Sequence, residues 1–179
     1  MGEARDKLSA MIRPITRHGG SILRQRACPV QKLTADIQRL IDDMIETMYA
    51  APGIGLAAPQ VGVGLRVFVM DVSSGRSSGD LHVMINPEMV IHEGVQSFEE
   101  GCLSVPNFQA TVPRPKRAVV RGLSREGKSY EIEGTGLSAR ALQHELDHLD
   151  GSLFLDRLQG IKKELILRRI NKLKRTGQW

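Results

Sequence analysis

Two histidines and a glutamate lie close together in the stretch His144-Glu145-Leu146-Asp147-His148. On a helix, His144 and His148 are separated by about 40° of rotation and one turn of rise, so both imidazoles can reach one cation. Glu145 is turned by about 60° from His148, which puts it beside such a cation, where a general base for a water molecule is needed. The competing interpretation is two surface histidines beside an unrelated glutamate.

A catalytic divalent site also needs a third protein ligand and an open position for water. Phe154 stands where three-histidine metalloproteases place their third ligand, so that class is disfavoured. Glu164 is a possible downstream ligand, but it lies among basic residues. Cys102, in the stretch Glu100-Gly101-Cys102-Leu103-Ser104, offers a thiolate, and the preceding glycine permits close approach of the backbone. A buried free thiol is the alternative for Cys102.

A glycine-rich loop, Gly53-Ile54-Gly55-Leu56-Ala57-Ala58-Pro59-Gln60, is the third candidate element. It lacks the Lys-Ser/Thr pair of a phosphate-binding loop, and Ala58 stands where a dinucleotide-binding motif has its third glycine. The loop combines a closely approachable backbone with the side-chain amide of Gln60. An amide N–H aimed at a developing oxyanion stabilises a tetrahedral acyl intermediate. The loop is weak evidence alone, because small residues occur in many turns.

These three segments together resemble one family, the bacterial-type peptide deformylases, which remove the N-formyl group from the initiator methionine of nascent chains. The family is marked by three motifs in a fixed order: G-x-G-x-A-A-x-Q, E-G-C-L-S and Q-H-E-x-D-H. All three are intact in this chain, at residues 53–60, 100–104 and 143–148. The similarity extends from about Ile12 to Leu158.

The resemblance implies the roles of the reacting groups. Cys102, His144 and His148 would hold a metal, natively Fe²⁺ in this family, although Zn²⁺, Ni²⁺ or Co²⁺ can occupy the site. Glu145 would carry the proton from the attacking water to the leaving amine. The side chain of Gln60 and the backbone N–H of Leu103 would hold the oxyanion. The substrate would be an N-formyl-Met nascent peptide, and the released product would be formate.

The resemblance also implies how the peptide is bound. The backbone around Gly55 would pair with an extended peptide, as in strand addition. Glu100 would border the substrate site and pair with Arg114, which braces the cysteine loop. Gln109 falls where some members have an arginine that contacts the peptide, so that contact is expected to differ here. A hydrophobic pocket for the methionine side chain is expected near four residues, with His144 in its wall: Ile54, Phe98, Leu137 and Ala141.

Helices and strands that would position these groups are visible in the hydrophobic pattern. Apolar residues recur at helical spacing between Leu33 and Ala50, and Thr34 is a plausible N-cap. Ser138 is expected to cap a second helix, which runs through the histidine motif to a stop near Gly151. Strands are expected around Leu65–Val72, Val83–Ile91, Ala118–Leu123 and Tyr130–Glu133.

A last amphipathic helix is predicted at about residues 160–175. Residues 161–179 include seven basic residues against Glu164 alone, whereas the whole chain has a net charge of +5. Ile166 and Ile170 share one face, and Arg168 and Lys172 share the opposite one. The resemblance suggests that this basic helix docks near the ribosome; the alternative is a solvated face. The predicted fold is α+β, with antiparallel sheets packed around a central H-E-x-x-H helix and with a C-terminal amphipathic helix.

Length and composition predict one domain over residues 1–179, with a catalytic core at about 12–158. The two cysteines are too few for a disulfide framework, which fits a reducing cytosol, and Cys28 is expected to be a small buried residue. No apolar run approaches the roughly 20 residues needed to cross a bilayer. Glu3 and Asp6 argue against a secretion signal. The expected location is therefore the cytoplasm.

Two rival functions differ in their tests. Another metalloamidase or a metalloprotease would prefer other amide bonds to formyl-Met peptides. A basic module for RNA or the ribosome would bind nucleic acid in a salt-sensitive way and hold no metal. Its support is the basic C-terminal segment, but an aromatic content of 4% leaves few stacking platforms for single-stranded RNA.

Overall fold

The computed structural model describes residues 10–77 and 79–179, so Glu3 and Asp6 lie outside the described residues. Within those ranges, antiparallel pairing joins five strands in the order β1-β2-β3-β6-β7 and the other two, β4 and β5, in a separate sheet. The predicted α+β class with antiparallel sheets is confirmed. The helices are α1 (Ala35–Ala50), α2 (Gly136–Leu149) and α3 (Ile161–Arg175). The strands are β1 (Gly55–Ala57), β2 (Val67–Met70), β3 (His82–Glu93), β4 (Gln96–Cys102), β5 (Val105–Arg114), β6 (Arg117–Leu123) and β7 (Ser129–Thr135).

Helix α2 packs against the five-stranded sheet through a leucine stripe. Leu142, Leu146 and Leu149 share one helical face and belong to the same buried cluster as Phe68 and Val120 of the sheet. His144 and His148 project from roughly the opposite face of α2. The packing of the leucines therefore sets the direction in which both imidazoles point.

Helix α1 covers the other face of the sheet. It begins as predicted at Thr34, whose hydroxyl accepts a hydrogen bond from the backbone N–H of Ile37 (3.4 Å). Its buried Met44 and Met48 share a cluster with Val67 and Val69. The alternate residues of β2 face the α2 side. Strand β2 is consequently buried on both faces, which explains its unbroken apolar sequence.

The two-stranded sheet forms the wall that carries the cysteine, and its strands lie outside the segments predicted from the sequence. Gly101 pairs with Gln109, but the next residue, Cys102, pairs with Val105, so the ladder is interrupted by a bulge at 106–108. Asn107 has a positive φ of 68° within this bulge. The sheet packs on α3 through a third cluster that includes Val105, Ala110, Val112, Ile166 and Ile170.

Two sequence predictions are wrong. Ser138 does not cap α2, because β7 runs directly to Thr135 and Gly136, at a φ of 54°, turns the chain into the helix. Cys28 is exposed rather than buried. Its backbone is the part that is held, since its N–H donates to the carbonyl of Gly64 and its carbonyl accepts from Arg66, both at 2.9 Å.

The four predicted strand segments correspond to β2, β3, β6 and β7, with ends that differ by a few residues. The predicted C-terminal helix is present as α3. Among the described residues, no helix has both the length and the apolar character required to cross a membrane.

Candidate active site

Helix α2 and the end of β4 bring three possible metal ligands together. The Nε2 atoms of His144 and His148 are 3.2 Å apart, and Cys102 Sγ lies 3.3 Å from His148 Nε2. One ligand atom from each residue lies within 4.8 Å of the others. Burial and the neighbouring His144 lower the pKa of His148 well below its ordinary range, which favours the neutral imidazole that binds metals.

This donor set fits a transition metal. A thiolate and two imidazoles are the ligands that Zn²⁺ and Fe²⁺ accept, and three protein ligands leave a position free for water or substrate. Phe154 lies within the buried core, with its ring stacked 6.4 Å from that of His144, and has no donor atom to offer. Glu164 lies on the exposed side of α3, 3.8 Å from Arg168, and outside the ligand group.

A buried ion-pair network stands behind His144. Glu100 Oε2 lies 3.2 Å from His144 Nδ1 and accepts a hydrogen bond from Arg114 Nη2 at 2.8 Å. Arg114 Nη1 also donates to Asp147 at 2.9 Å. Burial alone would raise the pKa of Glu100, but the hydrogen bonds from His144 and Arg114 lower it to about 2. Glu100 is therefore ionised at neutral pH and can accept the Nδ1 proton of His144, a tautomer that leaves Nε2 directed at the cluster.

Glu145 lies beside the cluster, under the glycine-rich loop. Its side chain is buried, and a methyl group built on Gly55 would come within 2.8 Å of its carboxyl carbon. A side chain at residue 55 would therefore require the carboxyl group of Glu145 to move. Burial raises the pKa of Glu145 to about 7. Its Oε2 atom is buried and has no hydrogen-bond partner among the described residues, as suits a group kept for a substrate or a water molecule.

The side-chain amide of Gln60 is held at both ends. Its Oε1 accepts a hydrogen bond from the backbone N–H of Ala57 at 2.9 Å. Its Nε2 donates to Ser104 Oγ at 3.1 Å and lies 3.6 Å from Cys102 Sγ. The first contact fixes which end of the amide points inward, so the N–H group faces the cysteine. Sequence reasoning did not assign Ser104, although it follows Cys102 by only two residues.

A cavity of about 710 Å³ opens over these groups. Phe98 is absent from the residues that line it; this residue is 56% exposed, and its ring centroid lies 5.3 Å from the guanidinium carbon of Arg140. Arg140 does line the cavity and was not assigned from the sequence, although it stands four residues before His144 on the same helical face. The assigned residues that line the cavity are Ile54, Gly55, Gln60, Glu100, Cys102, Leu103, Leu137, Ala141, His144 and Glu145.

Comparisons with known proteins agree with the site. The sequence profile described as polypeptide deformylase matches residues 12–164. A peptide deformylase from Acidobacterium capsulatum is 46% identical over 169 residues, covering 94% of this chain and 99% of that protein. One from Thermodesulfovibrio yellowstonii is 51% identical over 151 residues, covering 84% of this chain and 92% of that protein.

Structural similarity leads to the same family. The crystal structure of a peptide deformylase from Legionella pneumophila has 45% sequence identity and a TM-score of 0.86, and the match covers 93% of this chain and 97% of that chain. The resemblance inferred from the three motifs is thus confirmed. The chain belongs to the peptide deformylase family, metal-dependent hydrolases that remove the N-formyl group from newly made polypeptides.

Proposed function

We propose that the cluster of Cys102, His144 and His148, with Glu145 beside it, is the centre at which this chain hydrolyses the formyl amide of an N-terminal formylmethionine. The observation that carries the proposal is the convergence of the three ligand atoms within 4.8 Å beside a buried carboxyl group. The products are formate and a polypeptide with a free N-terminal methionine.

Glu145 is the proton carrier in this proposal. A divalent cation held by the three ligands supplies Lewis acidity toward the water molecule and the formyl group. Glu145 takes a proton as the water oxygen adds to the formyl carbon, and returns it to the nitrogen as the C–N bond breaks. A pKa of about 7 for its buried carboxyl group suits both directions of transfer.

Gln60 and Leu103 stabilise the negative charge that develops on the formyl oxygen. The Gln60 amide is already oriented by Ala57 and Ser104, so its N–H group needs no rearrangement when the charge develops. We assign the second donor to the backbone N–H of Leu103, which directly follows Cys102 and lines the same cavity.

The peptide binds along strand β1 in this proposal. Within the part of the chain that the structure describes, β1 is an edge strand that pairs only with β2, which leaves its other side available for an extended peptide at Gly55. Ile54, Leu137 and Ala141 supply apolar surface for the methionine side chain, with His144 as one wall. Glu100 borders this pocket through its contact with His144, and Phe98 contributes from the rim beside Arg140.

We propose Fe²⁺ as the native metal, with Zn²⁺, Ni²⁺ or Co²⁺ as possible replacements. A thiolate on Fe²⁺ exposes both the metal and the sulfur to oxidation, whereas Zn²⁺ has no accessible redox change. Anaerobically purified protein is expected to contain iron and to release formate from formyl-Met-Ala-Ser, and this activity should decay in air. Metal analysis paired with the formate assay tests this. Cleavage of internal peptide bonds without release of formate would instead indicate a metalloprotease.

We propose one domain over residues 1–179, with a catalytic core at about 12–158 and the basic helix α3 at about 160–175.

Helix α3 is proposed to dock the enzyme on the ribosome, where the nascent peptide emerges. The enzyme would therefore act in the cytoplasm. Ile166 and Ile170 bury the inner face of α3 in the core. Arg168, Lys172 and Arg175 are exposed on its outer side, where they can meet ribosomal phosphates, although Arg168 also lies 3.8 Å from Glu164.

Charge reversal tests this docking. Changing Arg168, Lys172 and Arg175 to glutamate should weaken salt-sensitive co-sedimentation with ribosomes by at least about tenfold. Each phosphate contact releases counterions from the RNA, and this release, which favours binding, is lost with the contact. Hydrolysis of small formyl peptides should stay near the wild-type rate. A matched control reverses three exposed basic residues elsewhere: Arg26, Lys32 and Lys128. Equal ribosome binding by the two triple variants would leave the outer side of α3 as a merely solvated surface.

A further inference from the structure

Trp179, which lies four residues beyond α3, contacts the strand that forms one wall of the cavity. Its ring centroid is 6.1 Å from that of Phe108, with the planes inclined by 53°. Phe108 in turn lines the cavity. Both rings pack against the third hydrophobic cluster, which Cys102 also contacts. One aromatic contact therefore joins the segment after α3 to the cavity wall.

Phe108 lies where the wall has least support from its own sheet. The ladder between β4 and β5 pairs Gly101 with Gln109 and then Cys102 with Val105, so residues 106–108 bulge out of the register. Asn107 has a positive φ of 68° within this bulge, a left-handed conformation that asparagine adopts more readily than most non-glycine residues. Because the ladder does not pair residues 106–108, side-chain packing supports this bulge, and the ring of Trp179 contributes to it at Phe108.

A second set of contacts ties Trp179 to the other end of the same loop. The indole N–H donates to the carbonyl of His18 at 2.9 Å. The backbone N–H of His18 donates to the carbonyl of Ser104 at 2.7 Å. Ser104 is the residue whose hydroxyl accepts from Gln60. Trp179 is consequently linked to the loop that follows Cys102 directly at Phe108 and, through the backbone of His18, at Ser104.

We propose that Trp179 is a positioning residue for the substrate cleft: through Phe108 it fixes the bulge at 106–108, which forms the wall facing β1. The inference rests on the proposed function, since that wall and β1 are the two sides between which the peptide lies. Among the described residues, the hydrogen bond and the ring contact of Trp179 go to His18 and Phe108, and neither reaches a metal ligand or Glu145. Its loss should therefore weaken peptide binding more than the chemical step.

Steady-state kinetics on the metal-loaded enzyme test the assignment. Trp179→Ala should raise KM for formyl-Met-Ala-Ser by about tenfold with kcat within about threefold, because an interaction that binds substrate and transition state equally changes KM alone. Trp179→Phe, which keeps a ring but loses the N–H donor, should raise KM by less than about threefold. Bound metal should remain at the wild-type level in both variants.

Two controls separate positioning from general stability. Ile170→Ala removes a fully buried side chain from the same cluster and should lower the melting temperature with little change in KM. Phe108→Ala should raise KM as Trp179→Ala does, and the double variant should lose little more than either single one, since the two residues act in series. Trp179→Leu replaces the alanine variant in these measurements if the latter does not fold.

The outcomes distinguish this inference from the function on which it rests. A wild-type enzyme that releases no formate would overturn the proposed function and the inference with it. An active wild type with an unchanged KM in Trp179→Ala would overturn the inference alone. Fully multiplicative effects of the Trp179 and Phe108 changes would also overturn it, because Trp179 would then not act through Phe108.

Discussion

Replacing Glu145 with glutamine is expected to lower turnover of a formyl-Met peptide by roughly 10²-fold or more, because it removes the group that transfers the proton. The amide is nearly the same size as the carboxyl group, so it should fit in the space under Gly55. Glu145 contributes no ligand atom to the cluster, and bound metal should therefore stay at one equivalent. Formate release and metal content measured on the same preparation give both results.

Glu46→Gln is the matched control, since it makes the same chemical change on the exposed side of α1 and should leave turnover unchanged. A Glu145→Gln enzyme that works at close to the wild-type rate would show that another group carries the proton. Loss of metal together with activity would point instead to a structural role for the carboxylate.

The glycine motif and the histidine motif pack directly against each other. The sequence alone indicated that the Gly53–Gln60 loop has a backbone that other groups can approach closely. The structure shows what approaches: the carboxyl group of Glu145 fills the place that a side chain at Gly55 would occupy. Two motifs that are 90 residues apart in the chain are thus one packing unit. Any side chain at residue 55 should displace the proton carrier.

The parts predictable from sequence are those in which local pattern and packing agree. Helix α1 has a capping residue, Thr34, and a regular apolar stripe, and both follow from short-range spacing. The spacing of His144 and His148 determines their common direction once the segment is helical. The basic outer side of α3 can likewise be recognised in the sequence, because apolar and basic residues recur there at helical spacing on opposite faces.

The cysteine wall could not be predicted in the same way. Strand β4 has no apolar alternation, since its buried residues include Gln96 and Glu100. Strand β5 carries two prolines and the positive-φ residue Asn107. Glu100 is buried because Arg114 neutralises it, a pairing between neighbouring strands that hydrophobic periodicity does not register. Long-range contacts, rather than local preference, therefore determine where Cys102 lies.

The same contacts make Cys102 the residue with the largest expected effect on metal binding. Serine in its place is nearly isosteric, but its hydroxyl is mostly protonated and is a poor ligand for Fe²⁺ or Zn²⁺. Loss of an outer residue that only orients a ligand costs about 10- to 100-fold in metal affinity, so loss of the ligand itself should cost more than about 100-fold. Deformylation should fall in proportion to the metal lost, while the fold is retained.

Cys28→Ser provides the matched control for Cys102→Ser, because Cys28 is exposed and lies outside the ligand cluster, and its replacement should leave metal affinity unchanged. Each variant is loaded anaerobically with Fe²⁺ and, separately, with Zn²⁺, and bound metal is measured beside formate release. A Cys102→Ser protein that holds one equivalent as tightly as the wild type would mean that Cys102 is not the third ligand. Glu164 would then be the next residue to substitute. For Glu164 to reach the histidines, α3 would have to leave its place on the third cluster, and a lower melting temperature would report that movement.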